Sequence, residues 1–383
     1  SKTPMRKCKP LIRSLLRMGA YQILFMDVRD AAACSEAVSL AKKRGFGRLS
    51  GFVNGVLRTI VREKDRLPVP DKKEFDKYLS ITYSVPEWLS RLMIDQYGAQ
   101  TAETMFASFL EARPLTIRTN LSVITSEALE EELKKDGVSV ERGNYLPYAL
   151  TISHLNYLGK LAAFRQGKFA VQDESSQLAV EVADINEGDF VLDVCAAPGG
   201  KTFHAADRLH GTGKVLSRDL TEYKTDLIEE NKDRMCYENV EVQQWDALVE
   251  DESLLESVDV LLADLPCSGL GIMGRKNDIK YQMTQQQLSE LAQLQRDILS
   301  VIWRYVKPGG EMIFSTCTLN RGENVENIRW IEENTPMRLV SIEDYLPETL
   351  KGRTGSQGYL QLIPGKDSCD GFFISKFERP EAR

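Results

Sequence analysis

The chain has 383 residues, 42% of them hydrophobic and 27% charged, with a net charge of −7. This is the composition of soluble globular protein at a length suggesting two or three domains. No apolar run reaches 18 residues, which excludes a membrane-spanning helix, and no signal-peptide core follows the basic start Ser1–Lys7. The cytoplasm is therefore the expected compartment. Seven scattered cysteines without a C-x-x-C pair, and only three histidines, argue against a disulfide framework and a structural zinc site. No metal is expected, and any cysteine chemistry should not depend on a histidine base. Charge is unevenly spread. Residues 1–66 hold fifteen Lys and Arg against five Asp and Glu, a net +10, which leaves −17 for the rest. A basic part joined to an acidic one suggests a polyanion-binding arm, and the plainer alternative is a solvated lysine-rich helical face.

In chain order, residues 9–66 read as helices, with Leu11, Ile12, Leu15, Leu16, Ile23 and Leu24 on one apolar stripe. They are few for a well-buried independent domain. The start at Ser1 rather than Met suggests that a preceding part is absent. Pro68-Val69-Pro70 opposes a helix and predicts a linker. Residues 72–111 look helical with a break at Ser84-Val85-Pro86. Leu115–Asn120 alternates like a strand, Ser126–Lys135 reads as a helix, and Val138–Val140 as extended chain. A small α+β module over 72–165 results. From 166 to 383 strands and helices alternate, with strands expected at Phe190–Val194, Lys214–Ser217, Val240–Gln243, Val258–Ala263, Glu311–Ser315, Arg338–Ser341 and Gly371–Lys376. Such alternation predicts an α/β domain with a doubly wound, mostly parallel sheet. The expected division is thus 1–68, 72–165 and 166–383.

The first strand of that domain runs into Cys195-Ala-Ala-Pro-Gly-Gly-Lys201 and then a helix. Gly199 and Gly200 lack a Cβ and let a ligand approach the backbone, Pro198 stiffens the turn, and the helix start favours an anionic group. The turn matches neither the dinucleotide nor the P-loop fingerprint, so a nucleotide-like cofactor competes with a tight structural turn. Asp193, Asp219, Asp246 and Asp264 fall at or just past the ends of four consecutive strands, where doubly wound sheets bind ligands. Asp219 is placed to accept from ribose hydroxyls and Asp246 from an adenine amino group. Each alone could cap a helix, but four together favour a cofactor. Cys267 and Cys317 follow the fourth and fifth strands and should face one crevice, since neighbouring strands lie about 4.8 Å apart. A single cysteine there is most often a small buried hydrophobe.

Val191–Lys201, Asp264-Leu-Pro-Cys-Ser-Gly-Leu-Gly271, Ser315-Thr-Cys-Thr318 and Cys369-Asp-Gly-Phe-Phe373 together resemble the RNA C5-cytosine methyltransferases that use S-adenosylmethionine (SAM). The whole chain is similar to the bacterial Sun/Fmu enzymes of small-subunit ribosomal RNA. Met18–Ile23 and Phe52–Arg58 resemble the second half of the antitermination factor NusB. The resemblance implies a class I SAM-dependent methyltransferase fold preceded by a small α+β module and a NusB-like helical segment. It implies that Cys195, Ala196, Ala197, Pro198, Gly199, Gly200, Lys201, Asp219, Asp246 and Asp264 bind SAM, with Asp264 also at the catalytic edge. Cys317 would be the nucleophile and Cys267 the group that helps release the product. The implied substrate is 16S rRNA, at cytosine 967, and a monomer is expected. Gln172–Ser176 resembles the family's lead-in to the catalytic domain. The chain departs at Leu265, where a small Ala is usual, and at Gly274-Arg-Lys-Asn-Asp278, which leaves the roles of Arg275, Lys276 and Asp278 open.

Two thiols suit this chemistry. Cytosine C5 becomes nucleophilic only after a thiolate adds at C6, and a base must later remove the C5 proton. Asp264 is positioned to stabilise charge developing on the ring, and Lys201 or a helix start to favour a thiolate. The base must leave any stack, which suits an unpaired cytosine. Two alternatives stand: a DNA cytosine methyltransferase attacking through Cys267, and a catalytically idle RNA-binding scaffold.

Overall fold

The structure, a computed structural model, describes residues 3–67, 70–155 and 157–381. The chain divides into two compact units, 1–72 and 73–383.

In the first unit α1 (Pro10–Phe25), α2 (Asp30–Lys43) and α3 (Ser50–Glu63) pack on one another. Pro10 opens α1 in the first turn, where its missing N–H has no intrahelical partner to lose. Ile12, Leu15, Leu16 and Ile23 meet Ala33, Ala37 and Ala41 of α2 and Val53 and Leu57 of α3. A Cβ on Gly19 would stand 2.7 Å from Leu57 Cδ1, so glycine permits the close approach of α1 and α3. These helices do bury a core of their own, contrary to the expectation from their length, because the small side chains of α2 let the axes close up. Pro68 and Val69, the centre of the expected linker, lie outside the described residues.

The second unit begins with α4 (Phe75–Thr82), α5 (Glu87–Tyr97) and α6 (Ala99–Ser108). A four-stranded antiparallel sheet follows in the order β2-β3-β1-β4, from β1 (Leu115–Thr119), β2 (Ser139–Arg142), β3 (Ala149–Ser153) and β4 (Phe169–Val171). Between β1 and β2 lies α7 (Ser126–Lys135), capped by the Thr125 hydroxyl, which accepts from Ala128 N. Its Leu129 and Leu133 pack on Ile117, Leu150 and Ile152. The short α8 (Ala162–Arg165) leads into β4.

The large sheet is built from β5 (Phe190–Asp193), β6 (Lys214–Asp219), β7 (Val240–Gln244), β8 (Val258–Asp264), β9 (Val306–Thr316), β10 (Arg338–Leu339), β11 (Tyr359–Leu362) and β12 (Phe372–Glu378). Its order is β10-β12-β9-β8-β5-β6-β7, with β11 on β12. β5 to β9 are mutually parallel, whereas β12 runs antiparallel to β9 and pairs antiparallel with β10 and β11. Successive residues of a buried strand face opposite layers. Val191 therefore packs against α9 (Glu174–Val182), α10 (Gly200–Arg208) and α11 (Glu222–Met235), while Leu192 joins the layer beneath α13 (Gln285–Ile302) and α14 (Val325–Asn334). A four-residue helix, α12 (Ile279–Gln282), precedes α13. From β5 the chain builds outward through β6 and β7, then returns to add β8 on the other side. The carboxyl ends of β5 and β8 thus form the switch point at which such sheets bind ligands.

Candidate active site

At the end of β5 the chain turns through Cys195–Gly199 into α10. Gly199 has a φ of 102°, and a Cβ there would collide with the Phe203 ring. Only glycine serves, for conformational rather than ligand-access reasons. Gly200 faces open space toward Gln172, the nearest atom to a Cβ being 3.8 Å away. Ala196 N donates to Arg218 O at 3.0 Å and Ala197 N to Asp219 Oδ2 at 3.0 Å, so the turn is pinned to the end of β6. A cavity of about 180 Å³ opens there, lined by Gln172, Asp173, Asp193, Cys195–Pro198, Gly200, Lys201 and Asp264.

Asp193 is buried in its wall. One carboxyl oxygen accepts from Thr202 Oγ1 at 2.8 Å, and the other has no partner among the described residues. Burial pushes this carboxyl up to about 7. A buried acceptor left open on a cavity fits a ligand that brings its own donor. Burial likewise pushes the Cys195 thiol well above its ordinary value. Asp219 is buried and already accepts from Ala197 N, Leu220 N and Lys224 Nζ. With about four lone-pair sites on a carboxylate, it retains room for one further donor. Asp246 is exposed and not among the cavity's lining residues, and its Oδ1 accepts from Leu248 N at 3.0 Å.

Asp264, at the end of β8, accepts from Lys201 Nζ at 2.6 Å and from Ser315 Oγ at 2.9 Å. Lys201 also lies 5.0 Å from the centre of the Phe372 ring. In the parallel pair β8–β9, Asp264 stands opposite Ser315, which brings the two following loops side by side. The sulfurs of Cys267 and Cys317 are 3.3 Å apart. The hydrogen bond with Cys317, together with burial, raises the Cys267 thiol well above its ordinary value. Leu265 is buried against the β9 side of the core, and its N–H donates to Ser315 O at 3.2 Å. Its bulk fills a layer beneath the site.

Sequence reading missed Glu323. Its buried carboxylate accepts from Ser268 N at 2.8 Å, Ser268 Oγ at 2.6 Å, Asn320 Nδ2 at 3.0 Å and Gln295 Nε2 at 3.3 Å. Ser268 follows one cysteine and Asn320 the other's loop, so a single carboxylate ties both. An acid six residues past the second cysteine was the available signal. Gly271 N donates to Cys317 O at 2.9 Å, and Gly371 N to Gly271 O at 3.0 Å. A Cβ on Gly271 would collide with the Gly371 carbonyl and stand 2.7 Å from Cys317 O. Of the three residues left open, Arg275 has a clear place: its Nε is 2.6 Å from Asp370 Oδ2 and its Nη2 3.3 Å from Asp173 Oδ2. Burial, and then Asp173, raise the Asp370 carboxyl to about 6 against the pull of Arg275. Lys276 and Asp278 are exposed, the latter accepting from Gln282 Nε2 at 2.8 Å.

The strand order, the glycine turn after β5 and the row of acids at strand ends define a class I SAM-dependent methyltransferase. The description "16S rRNA methyltransferase RsmB/F" matches residues 180–378, the NusB family residues 1–62, and the ferredoxin-like domain of RsmF/B-like methyltransferases residues 85–156. "Probable ribosomal RNA small subunit methyltransferase B" of Bacillus subtilis (strain 168) is 36% identical, covering 98% of this chain and 84% of that protein. "Ribosomal RNA small subunit methyltransferase B" of Vibrio cholerae is 30% identical over 97% of this chain and 82% of that protein. The crystal structure of PH0851 is 28% identical with a TM-score of 0.83, over 98% of this chain and 84% of that one. That of NSun6 from Pyrococcus horikoshii with SFG shares the fold at 23% identity and a TM-score of 0.68, over 78% of this chain and 99% of that one. The chain belongs to the 16S rRNA methyltransferase RsmB/F family. Among the described residues no cluster of His, Cys, Asp and Glu could hold a metal ion, and no helix is long and apolar enough to cross a membrane.

Proposed function

We propose that this protein methylates C5 of a cytosine in 16S rRNA, cytosine 967 by its resemblance, through a covalent bond between Cys317 and C6. The observation that carries this reading is the pair of thiols 3.3 Å apart at the ends of adjacent parallel strands, beside Asp264. The turn Cys195–Lys201, the open acceptor of Asp193 and Asp219 are the residues that would hold SAM, with Asp246, exposed and off the cavity, included on the resemblance alone. Bound SAM supplies an electrophilic methyl carbon.

The remaining work falls to the chain. With the sulfurs 3.3 Å apart, Cys267 can donate its S–H to Cys317 and stabilise Cys317 as the attacking thiolate once the Cys317 proton has left to solvent. Cys317 Sγ adds to C6, the C5=C6 electron pair becomes available at C5, and C5 would take the methyl group, the electron pair of the broken S–CH3 bond leaving with S-adenosylhomocysteine. Asp264, held by Lys201 and Ser315, accepts from the amino group of the base and orients it, while the Lys201 ammonium beside it offsets negative charge building on the ring. Cys267, whose sulfur stands 3.3 Å from that of Cys317, then takes the C5 proton as the general base, its own thiol proton having passed to solvent. The C6–S bond then breaks, the double bond re-forms, and Cys317 leaves as a thiolate. The +10 charge of residues 1–66 supports a grip on the phosphate backbone by that unit.

The test is a denaturing gel of Cys267→Ala with SAM and unmethylated small-subunit rRNA, beside wild type and Cys317→Ala. A protein–RNA adduct that persists only in Cys267→Ala is the expected result. Methylation by Cys317→Ala with no adduct in Cys267→Ala would reverse the roles and favour the DNA-type chemistry; adduct and transfer absent from all three would favour a scaffold.

A further inference from the structure

A second cavity of the second unit lies away from the cofactor site. It is an open groove of about 800 Å³ between the loop after Cys317, the start of α14 and the outer antiparallel strand β11. Four cations line it: Arg321, Arg329, Arg353 and Lys366. Two carboxylates, Glu326 and Asp367, also lie there, but Asp367 is engaged by Arg353 at 2.8 Å and by Ile363 N at 2.6 Å. Among the described residues neither Arg329 nor Lys366 has a carboxylate partner, and the Arg321 guanidinium lies over the Tyr97 ring, 5.4 Å from its centre. All four cations are exposed. This concentration of positive charge occurs in the part of the chain that carries −17 overall.

The groove is built onto the nucleophile's loop. Tyr97 Oη donates to Leu319 O, Asn324 Nδ2 to Thr318 O at 3.0 Å, and Gln361 Oε1 accepts from Asn324 Nδ2 at 2.8 Å. Arg321 is four residues past Cys317, at most about 14 Å along even an extended chain. The cations are spread over three segments rather than converging on one point, which suits a chain of phosphates better than a single small anion.

We propose that this groove binds the phosphates of the single-stranded RNA flanking the target base, with Arg321, Arg329 and Lys366 as the phosphate ligands. The assignment rests on the reading of the protein as an rRNA-modifying enzyme, and it names where the strand leaves the site. An acidic protein segment would be drawn to the same cations, and the experiment separates the two.

The test compares Arg321→Ala/Arg329→Ala/Lys366→Ala with wild type for binding of an unmethylated small-subunit rRNA fragment across a salt series. A control variant, Lys214→Ala/Lys307→Ala/Arg338→Ala, removes three cations from the opposite, amino-terminal edge of the sheet. Each phosphate contact on a single strand contributes about 0.7 to the log–log salt slope, so the groove variant should bind with a slope shallower by about 2 and the control with an unchanged one. The KM for RNA of the groove variant should rise about tenfold or more, with SAM affinity measured without RNA reporting that the fold is intact. Arg321→Lys/Arg329→Lys, which keeps the charges, should retain the wild-type slope. Equal slopes and KM in groove variant and wild type, or an equal loss in the control, would overturn the assignment and leave the groove to another partner. Failure of the wild type to methylate the rRNA would instead sink the functional reading, while the slopes would still decide the groove.

Discussion

Glu323→Gln is the most searching perturbation of the site, because it changes one atom at the knot between the two cysteine loops. The carboxylate takes four donors, two on each oxygen: Ser268 N and Gln295 on one, Ser268 Oγ and Asn320 on the other. A glutamine keeps one oxygen and turns an amide NH2 on the other pair: facing Ser268 N and Gln295 it leaves two buried donors without an acceptor, and facing Asn320 and the Ser268 hydroxyl, which can turn to accept, it leaves one. At about 1–3 kcal/mol per unmet buried donor, the cost is on the order of 1–6 kcal/mol. For a unit this large, about 2 °C of Tm per kcal/mol, the melting temperature should fall on the order of 2–12 °C. The loops would also lose their common anchor, and misplacement of a reacting group by an ångström can cost about a hundredfold in rate. Single-turnover transfer should therefore fall roughly a hundredfold, while SAM affinity by calorimetry should hold, since the cofactor turn hangs from β5 and β6. Wild-type Tm and rate in Glu323→Gln would refute the reasoning, because they would mean that the group is a neutral acid which an amide replaces without loss.

Three further outcomes are expected. Asp193, raised to about 7, favours the folded state fully below the ordinary carboxyl value and loses that contribution as pH climbs through about 7. Wild-type Tm should thus drop between about pH 4 and 7, and Asp193→Asn should flatten the profile and weaken SAM binding; a flat wild-type curve would dismiss the argument. Gly271→Ala forces the loop off the Gly371 carbonyl, at a cost of about 1–3 kcal/mol, and should cut transfer far more than SAM affinity; equal losses in both would speak against a local effect. Arg275→Ala leaves Asp370 facing Asp173 with Arg113, at 3.8 Å, left to offset it, so the Asp370 carboxyl, already near about 6, should climb further and extend the fall of Tm to higher pH. A fall of Tm that ends at the wild-type pH would remove Arg275 from that role.

What the sequence made legible was local. Phe190–Asp193 running into a glycine turn and a helix is a contiguous signal, and the strand ends it predicted lie within a few residues of those observed. The adjacency of Cys267 and Cys317 followed from two consecutive parallel strands, which short-range pattern also gives. The antiparallel edge was harder: β11 was not anticipated, because Tyr359–Leu362 is too short and half-buried to stand out from loop. The same holds for β3 and β4 in the smaller sheet. Arg275 with Asp173 and Asp370, and Glu323 with Ser268, join segments far apart in the chain. No periodicity encodes such pairings, which arise only when the sheet brings the segments together.

The placement of β12 between β9 and β10 has a consequence for biosynthesis. Of the strands in this sheet it is the last to be translated, yet it pairs directly with the strand that leads to Cys317, and Gly371 at its entrance is the partner of Gly271. Until it has emerged, β9 is an open edge and the two thiols lack the clamp that sets their spacing. A nascent chain can therefore hold the complete turn Cys195–Lys201 while Cys267 and Cys317 are not yet held together. Assembly of the thiol pair thus waits on a strand translated after every other strand of the sheet.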